Sequence, residues 1–176
     1  MNCVAETLES RIKLRRLQPA DLQAFQAYRR DPEVARFQGW SAQSDAAALA
    51  FLDAMAEAPP FPRGSWWQLG VAERASGRLI GDIGVCRDPD GLGVEIGFSL
   101  ARSAQGQGLA QEALQALFVR LGHLGVQQLR AHTDARNHAC IALLRRLGFA
   151  ETGREWAEYK GERCEELRFE RVVGVG

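Results

Sequence analysis

The 176-residue chain has only two lysines, Lys13 and Lys160, although it carries 22 basic residues against 22 acidic ones. The arginines are scattered and the formal net charge is zero, so no global field recruits nucleic acid or an anionic membrane. We therefore expect neither as a partner. An anionic ligand would have to be bound by local groups.

The chain also lacks the patterns of metal sites, disulfide frameworks and membrane spans. No Cys-x-x-Cys spacing occurs, and the histidines add no zinc-like pattern. No apolar run approaches the roughly 20 residues of a membrane helix, and the polar leader, residues 1–10, has no apolar signal-peptide segment. We expect no metal and a reduced, cytoplasmic setting. The residues concerned are Cys3, Cys86, Cys140, Cys164, His123, His132 and His138.

Length and composition indicate one domain. With 46% apolar and 25% charged residues, the chain can bury a sizeable core but is short for two domains. Hydrophobic periodicity and turn residues predict the order β-α-α-β-β-β-α-β-α-β-β over residues 11–176. This order describes an α/β (α+β) mixed sheet with helices on its faces. The first helix is predicted to end at Asp31-Pro32.

A glycine-rich segment, Gln105-Gly-Gln-Gly-Leu-Ala110, joins a predicted strand to a predicted helix. Such a turn leaves backbone N–H groups unpaired at the helix start. Without Cβ atoms at Gly106 and Gly108, a ligand can approach the main chain closely. Together with the helix dipole, these features predict an anion site, most naturally for a phosphate or diphosphate.

The segment lacks the lysine of a Walker loop and the spacing of the dinucleotide fingerprint. Its Gln-x-x-Gly-x-Ala pattern resembles the acyl-CoA loop of the GNAT N-acetyltransferase family, and the longer string EIGFSLARSAQGQGLAQEAL resembles the RimJ/RimL-like branch. The resemblance extends from about Arg11 and includes the element order, so it implies the GNAT acyltransferase fold. It also implies that the loop binds the diphosphate of acetyl-CoA through Gln105, Gly106, Gln107, Gly108, Leu109 and Ala110.

In that fold the strand before the loop splays from the next strand, and the pantetheine lies in the gap. Here the central strand pair would be 93–100 and 127–133. The reaction implied is direct attack of a primary amine on the thioester, without a covalent enzyme intermediate. The tetrahedral oxyanion needs a backbone N–H near the splayed strand, which we expect among Phe98, Ser99 and Leu100.

The second informative segment is NHACIALLRRLGF, residues 137–149. Asn137 is a good helix N-cap, and Gly148 suits the left-handed position after the helix, so local structure explains most of the segment. The resemblance adds a contact between Asn137 and the pantetheine arm. Both interpretations stay open.

One departure from the family concerns the acid that protonates the departing thiolate. Many members place a tyrosine seven residues after the asparagine, where this chain has Leu144. RimJ/RimL-like enzymes often have a serine three residues after it, where this chain has Cys140. A thiol donates more weakly than a hydroxyl, but its reference pKa of about 8.5 makes it a competent acid. Alternatively, Cys140 only fills the core.

A base must take the proton from the amine. Glu95 is one candidate because it lies on the strand beside the gap, and Glu155 and Glu158 on the penultimate strand are others. Each also suits a surface or strand-pairing role.

Three tryptophans, Trp40, Trp66 and Trp67, flank the region that walls the acceptor pocket in the resembling family. Two adjacent tryptophans on a strand point to opposite faces, so at most one of Trp66 and Trp67 lines a given pocket.

Two functions follow from these features. The first is an acetyl-CoA-dependent N-acetyltransferase acting on a protein N-terminal α-amine or a small-molecule amine. The second is a non-catalytic acyl-CoA-binding or sensing module. The loop and the Asn137 segment favour the first, whereas the missing tyrosine favours the second. The sequence leaves open the acceptor, the acyl length and whether the chain forms a homodimer.

Overall fold

The computed structural model describes residues 10–173, so nearly all of the predicted polar leader lies outside the described residues. Within this range one mixed sheet has the strand order β1-β2-β3-β4-β5-β7-β6. Its neighbouring strands are antiparallel except β4 and β5, which are parallel. The strands are β1 Ile12–Arg16, β2 Trp66–Glu73, β3 Leu79–Arg87, β4 Gly93–Leu100, β5 Gln128–Asp134, β6 Ala150–Tyr159 and β7 Glu162–Val172.

The helices are α1 Leu22–Arg29, α2 Pro32–Ala35, α3 Asp45–Glu57, α4 Leu109–His123 and α5 His138–Arg146. The predicted mixed α/β architecture is confirmed. The predicted element order lacked the short α2, and the structure corrects it. Pro32 follows the end of α1, but its fixed φ also suits the first turn of a new helix. Asp31 caps that turn by accepting a hydrogen bond from the Glu33 N–H at 3.0 Å.

Helices cover both faces of the sheet. On one face α4 and α5 share a large apolar cluster with the strands, in which Leu114, Leu117 and Leu129 are fully buried. On the other face α1 and α3 form a smaller cluster that includes Phe25 and Leu52. Full burial of one such side chain contributes about 1.5–3 kcal/mol, so these clusters determine where the helices sit.

The two parallel strands separate part of the way along their length. β4 and β5 are paired through Gly93–Ile96 and Gln128–Ala131, and no further. β4 continues to Leu100 and β5 to Asp134, so the ends of the two strands face each other across a gap. The predicted splay of the central strand pair is confirmed. The gap lies at the carboxyl ends of parallel strands, where α/β sheets commonly bind ligands.

A buried ion pair anchors α1 to the sheet. Arg29 Nη2 lies 2.9 Å from both carboxylate oxygens of Asp82, whose side chain is 3% exposed. The Tyr28 hydroxyl donates to the same carboxylate. Burial, followed by the charge of Asp82, raises the pKa of Tyr28 well above its ordinary value. Tyr28 therefore remains a neutral hydrogen-bond donor at physiological pH.

We expect Asp82→Ala to lower the free energy of unfolding by about 3–5 kcal/mol, because it leaves the buried Arg29 without its partner. Urea unfolding followed by far-UV circular dichroism measures this loss. Arg78→Ala is the control, since Arg78 and Glu73 form an exposed pair at 3.6 Å and exposed pairs contribute little. An Asp82 variant as stable as the control would show that the buried pair does not anchor α1.

Candidate active site

A cleft of about 630 Å³ follows the gap between β4 and β5. Its walls are the ends of these strands, the glycine-rich loop before α4, one side of α5 and the segment around α2. Of the loop residues predicted to bind a cofactor, only Gln107 does not line this cleft. Its side chain turns back to donate to the Ser103 carbonyl at 2.7 Å. The loop and Asn137 therefore line one cleft.

The loop presents a row of backbone donors. Among the described residues, no hydrogen-bond acceptor binds the backbone N–H groups from Gly106 to Gln111. Gly106 and Gly108 have φ values of 72° and 79°, which L-residues with side chains rarely adopt. A Cβ atom at Gly106 would meet nothing within 4 Å, and one at Gly108 only Arg11 Nη2 at 3.6 Å. Open space thus faces free amides at a helix start, which is the geometry of an anion site.

The edge of β4 that faces the gap is only partly satisfied. Gln38 Nε2 donates to the Phe98 carbonyl at 3.2 Å, and Gln105 Nε2 donates to the Leu100 carbonyl at 3.0 Å. The N–H and C=O of one strand residue point to the same side, so the N–H groups of Phe98 and Leu100 also face the gap. Ser99, 5% exposed, lies between them and lines the same cleft.

Asn137 caps α5 as the sequence predicts. Its Oδ1 accepts a hydrogen bond from the Cys140 N–H at 3.2 Å, while its amide nitrogen makes no hydrogen bond within residues 10–173. At the other end of the helix, Gly148 has a φ of 84°, and the Phe149 N–H donates to the Leu144 carbonyl at 3.0 Å. These contacts fix α5 beside the gap and leave the Asn137 amide nitrogen available to a ligand.

Cys140 lines the cleft, one turn into α5. Burial raises the pKa of its thiol to about 11, and a hydrogen bond with the Thr133 side chain opposes that rise. The thiol therefore stays protonated at physiological pH, which suits a proton donor and disfavours a thiolate nucleophile. Leu144, at the position of the family's tyrosine, is fully buried in the core.

A second cleft, of about 360 Å³, opens from the first. The two clefts share a boundary that includes Gln38, Gly97, His132 and Thr133. Glu95 lines the second cleft, where its Oε1 lies 3.9 Å from His132 Nδ1. Other residues that line this cleft are Arg36, Trp66, Asp134, Arg136, Tyr159, Lys160, Glu162, Cys164 and Glu166.

The three predicted acceptor tryptophans lie in different places. Trp66 is 48% exposed and lines the second cleft. Trp67 is 2% exposed, and its Nε1 donates to the Met55 carbonyl. The prediction that Trp67 binds substrate is therefore corrected, because strand alternation turns it into the core beside Phe61. Trp40 lines a separate cavity of about 150 Å³, where the Arg29 guanidinium lies 4.1 Å above its ring.

The other two predicted base candidates lie outside both clefts. Glu155 forms an ion pair with Arg168 across the β6–β7 hairpin. Glu158 is exposed on β6, opposite Arg163. Neither residue lines a cleft, so of the three carboxylates only Glu95 faces the site.

Gln38, His132 and Arg146 are among the cleft residues that sequence reasoning missed. Gln38, which binds the β4 edge, lies in the segment after α2, and no motif marks it. His132 is the first residue of β5 beyond the paired region, so its position beside the predicted gap was the available signal. Arg146 brings a positive charge to the first cleft from the last turn of α5, where a basic residue is also explained by the helix dipole.

Across residues 10–173, no group of three or more histidine, cysteine, aspartate or glutamate side chains is arranged to hold a metal ion. In the same range, no helix has the length and apolar character needed to cross a membrane.

The fold and the site define an α/β protein in which a split strand pair and free helix-start amides form one cleft. A family model described as "Acetyltransferase (GNAT) domain" matches residues 11–150. The chain therefore belongs to the GNAT acetyltransferase family, and it is an N-acetyltransferase. The uncharacterized N-acetyltransferase p20 of Bacillus licheniformis is similar, with 27% identity over 161 residues that cover 89% of this chain and 90% of p20.

Two solved structures share the fold. One is RimL, a ribosomal L7/L12 alpha-N-protein acetyltransferase in complex with coenzyme A. It has a TM-score of 0.81 and 18% identity, and the match covers 95% of this chain and 97% of RimL. The other is the spermidine N-acetyltransferase from Vibrio cholerae in complex with CoA and spermine. Its TM-score is 0.78 with 16% identity, and the match covers 93% of this chain and 96% of that enzyme.

The raised pKa of Cys140 predicts slow alkylation by iodoacetamide. With a pKa of about 11 in place of 9.0, the thiolate fraction at pH 8 is roughly a hundredfold lower than in the unfolded chain. Peptide mass spectrometry measures the rate at Cys140 separately from the other cysteines. The rate should keep rising about tenfold per pH unit from pH 8 to 9.5. A rate that levels off near pH 9 would show an ordinary thiol.

Proposed function

We propose that this protein is an acetyl-CoA-dependent N-acetyltransferase that acts on a primary amine by direct attack on the thioester. The observation that carries the proposal is the row of free amides from Gly106 to Gln111. This row lies in one continuous cleft with the unpaired edge of β4. The free amides suit a diphosphate, and the unpaired strand edge suits an extended chain with amide groups.

The donor's place in the cleft follows from these contacts. The diphosphate binds the loop amides, with the helix dipole and the Arg146 charge as further attraction. The pantetheine lies along β4 as an added strand and meets the N–H groups of Phe98 and Leu100, while the Asn137 amide nitrogen donates to it from the opposite wall. RimL and the spermidine enzyme are both described with CoA bound, which supports the same co-substrate here.

The chemistry requires an oxyanion donor and an acid. A backbone N–H of β4, at Phe98 or Leu100, stabilises the oxyanion that forms at the thioester carbonyl. The Cys140 thiol then protonates the departing thiolate, and Thr133 holds that thiol in place. Alignment of amine and thioester in one cleft contributes further, since well-oriented approach is worth about 7–11 kcal/mol. A free thiol in this role fits the reduced, cytoplasmic setting that the sequence predicts.

The acceptor enters through the second cleft, which meets the first at Gly97 and His132. The carboxylates of Glu95 and Glu166 line it and favour a cationic amine, and the exposed Trp66 forms part of its wall. RimL is described as a protein α-amine acetyltransferase and the other relative as a spermidine acetyltransferase. We therefore infer either a protein N-terminal amine, as in a RimJ/RimL-like enzyme, or a small-molecule amine.

The direct test follows free thiol released from acetyl-CoA with a panel of N-terminal peptides, polyamines and other primary amines. Amine-dependent release, with the acetylated product identified by mass spectrometry, is expected. CoA binding without acetylation of any amine would contradict the proposal and favour an acyl-CoA-binding module.

We expect Gly108→Asp to reduce CoA affinity more than tenfold, because it adds bulk and negative charge beside the diphosphate. Calorimetry with CoA measures the loss. Gly77→Asp is the matched control, since Gly77 has a φ of 72° with open space around it and lies in the β2–β3 turn. It should share the backbone strain and keep CoA binding. Unchanged binding by the Gly108 variant would remove the loop from the site.

Cys140→Ala should lower kcat by about 10²–10⁴-fold with little change in CoA affinity, because general-acid assistance has this magnitude. Cys140→Ser should retain much more of the rate, since a hydroxyl also donates. Steady-state kinetics with a fixed amine compares the two variants. If the alanine variant keeps full kcat, Cys140 only fills space. An acetylated Cys140 trapped from the wild type would make it a nucleophile instead.

A further inference from the structure

His132 lies where the two clefts meet, and it belongs to the lining of both. Its neighbours along β5 explain the orientation. Leu129 and Ala131 point into the core with at most 2% exposure, so alternation turns His132 to the opposite face. Pairing of β4 with β5 ends at Ala131. The imidazole is therefore the first β5 side chain on this face beyond the paired region.

Two carboxylates face the same ring nitrogen. Glu166 Oε1, from β7, lies 3.4 Å from His132 Nδ1, and Glu95 Oε1, from β4, lies 3.9 Å from it. The Glu166 side chain is 7% exposed, and its other oxygen accepts a hydrogen bond from the Tyr159 hydroxyl. Glu166 is thus held in place from the β6–β7 hairpin. Nε2, on the opposite side of the ring, makes no hydrogen bond or ion pair with the described residues.

The cationic side chains near His132 interact with other groups. Arg136 forms ion pairs with Asp134 at 2.7 Å and with Glu162 at 2.6 Å. Lys160 donates to the Ala35 carbonyl at 2.9 Å.

Arg36 and Cys164 also line the second cleft. The Arg36 guanidinium lies 4.9 Å from the centre of the Phe37 ring. Burial raises the pKa of the Cys164 thiol, so it is uncharged at physiological pH. The groups closest to the imidazole are therefore the two carboxylates.

We propose that His132 is the catalytic base that takes the proton from the acceptor, and that the acceptor is a primary amine that arrives as an ammonium ion. This inference rests on the proposed acetyltransferase function. A carboxylate at Nδ1 favours the tautomer whose lone pair is on Nε2, which is the nitrogen left for the amine. Glu166 is the positioning residue of the imidazole. Glu95, which is 35% exposed, attracts the ammonium ion.

The proton balance of the step is complete. The ammonium gives one proton to His132 Nε2, and the freed lone pair forms the C–N bond at the thioester carbonyl carbon. The C–S bond then breaks, and the leaving thiolate takes the Cys140 proton. The N-protonated amide returns a proton to Cys140, and His132 releases its proton to solvent. One acetyl group is transferred and one proton is set free.

The test compares wild type, His132→Gln, Glu166→Gln, Glu95→Gln and the control His123→Gln. His123 is exposed at the end of α4, outside both clefts. kcat/KM for the amine is measured against pH, and CoA affinity is measured separately by calorimetry. We expect His132→Gln to lose about 10²–10⁴-fold in kcat/KM near neutral pH, with CoA affinity unchanged and the acidic limb of the profile abolished.

The other variants separate the roles. Glu166→Gln should lower kcat and leave KM for the amine and CoA affinity nearly unchanged, because Glu166 lies 3.4 Å from His132 Nδ1 and orients the imidazole. Glu95→Gln should raise KM for the amine more than it lowers kcat. If the wild type is active and His132→Gln keeps both its rate and its acidic limb, this inference alone is overturned. If only Glu95→Gln loses kcat/KM, Glu95 is the base instead. A wild type that acetylates no amine would overturn both this inference and the proposed function.

Discussion

The separation of β4 and β5 after Ile96 and Ala131 is the constraint on which the site depends. A sheet normally pairs its buried backbone groups, and each one left without a partner costs about 1–3 kcal/mol. Here Gln38 and Gln105 satisfy two carbonyls of the open edge with their side chains. The rest of that edge faces the cleft, so a ligand with amide groups of its own gains hydrogen bonds that the fold has left unmade.

The loop before α4 also leaves backbone groups unpaired, and these groups attract an anion. The chain has no net charge, so attraction for an anion comes from backbone dipoles that point into one small volume. The left-handed geometry of Gly106 and Gly108 turns successive N–H groups toward the same side, and the start of α4 leaves more of them unpaired. Because α4 is anchored by fully buried leucines, these donors are oriented before any ligand arrives.

Much of this arrangement could be predicted from local sequence. The glycine spacing predicted the loop, and Asn137 and Gly148 predicted the two ends of α5. These predictions are possible because helix caps and left-handed turns depend on a few neighbouring residues. Alternation showed that Trp66 and Trp67 point to opposite faces but not which of them is buried. That depends on Met55 at the end of α3 and on Phe61, both of which contact Trp67.

The acceptor side was harder to predict because its parts come from distant segments. Glu95, His132 and Glu166 lie on three different strands, and no spacing rule relates them. Gln38 hydrogen-bonds to Phe98 from a segment without a motif. This segment follows α2, which was not predicted because Asp31-Pro32 indicated only the end of a helix. Their proximity can be predicted only when the sheet order β4-β5-β7 is known.

The central claim is that the loop amides and the open edge of β4 hold acetyl-CoA together. The most direct measurement is an amide chemical-shift titration of ¹⁵N-labelled protein with CoA. The account predicts the largest shifts at the N–H groups from Gly106 to Gln111 and at Phe98 and Leu100, with smaller changes in β6. Saturable binding whose largest shifts lie elsewhere, with the loop amides unmoved, would contradict it.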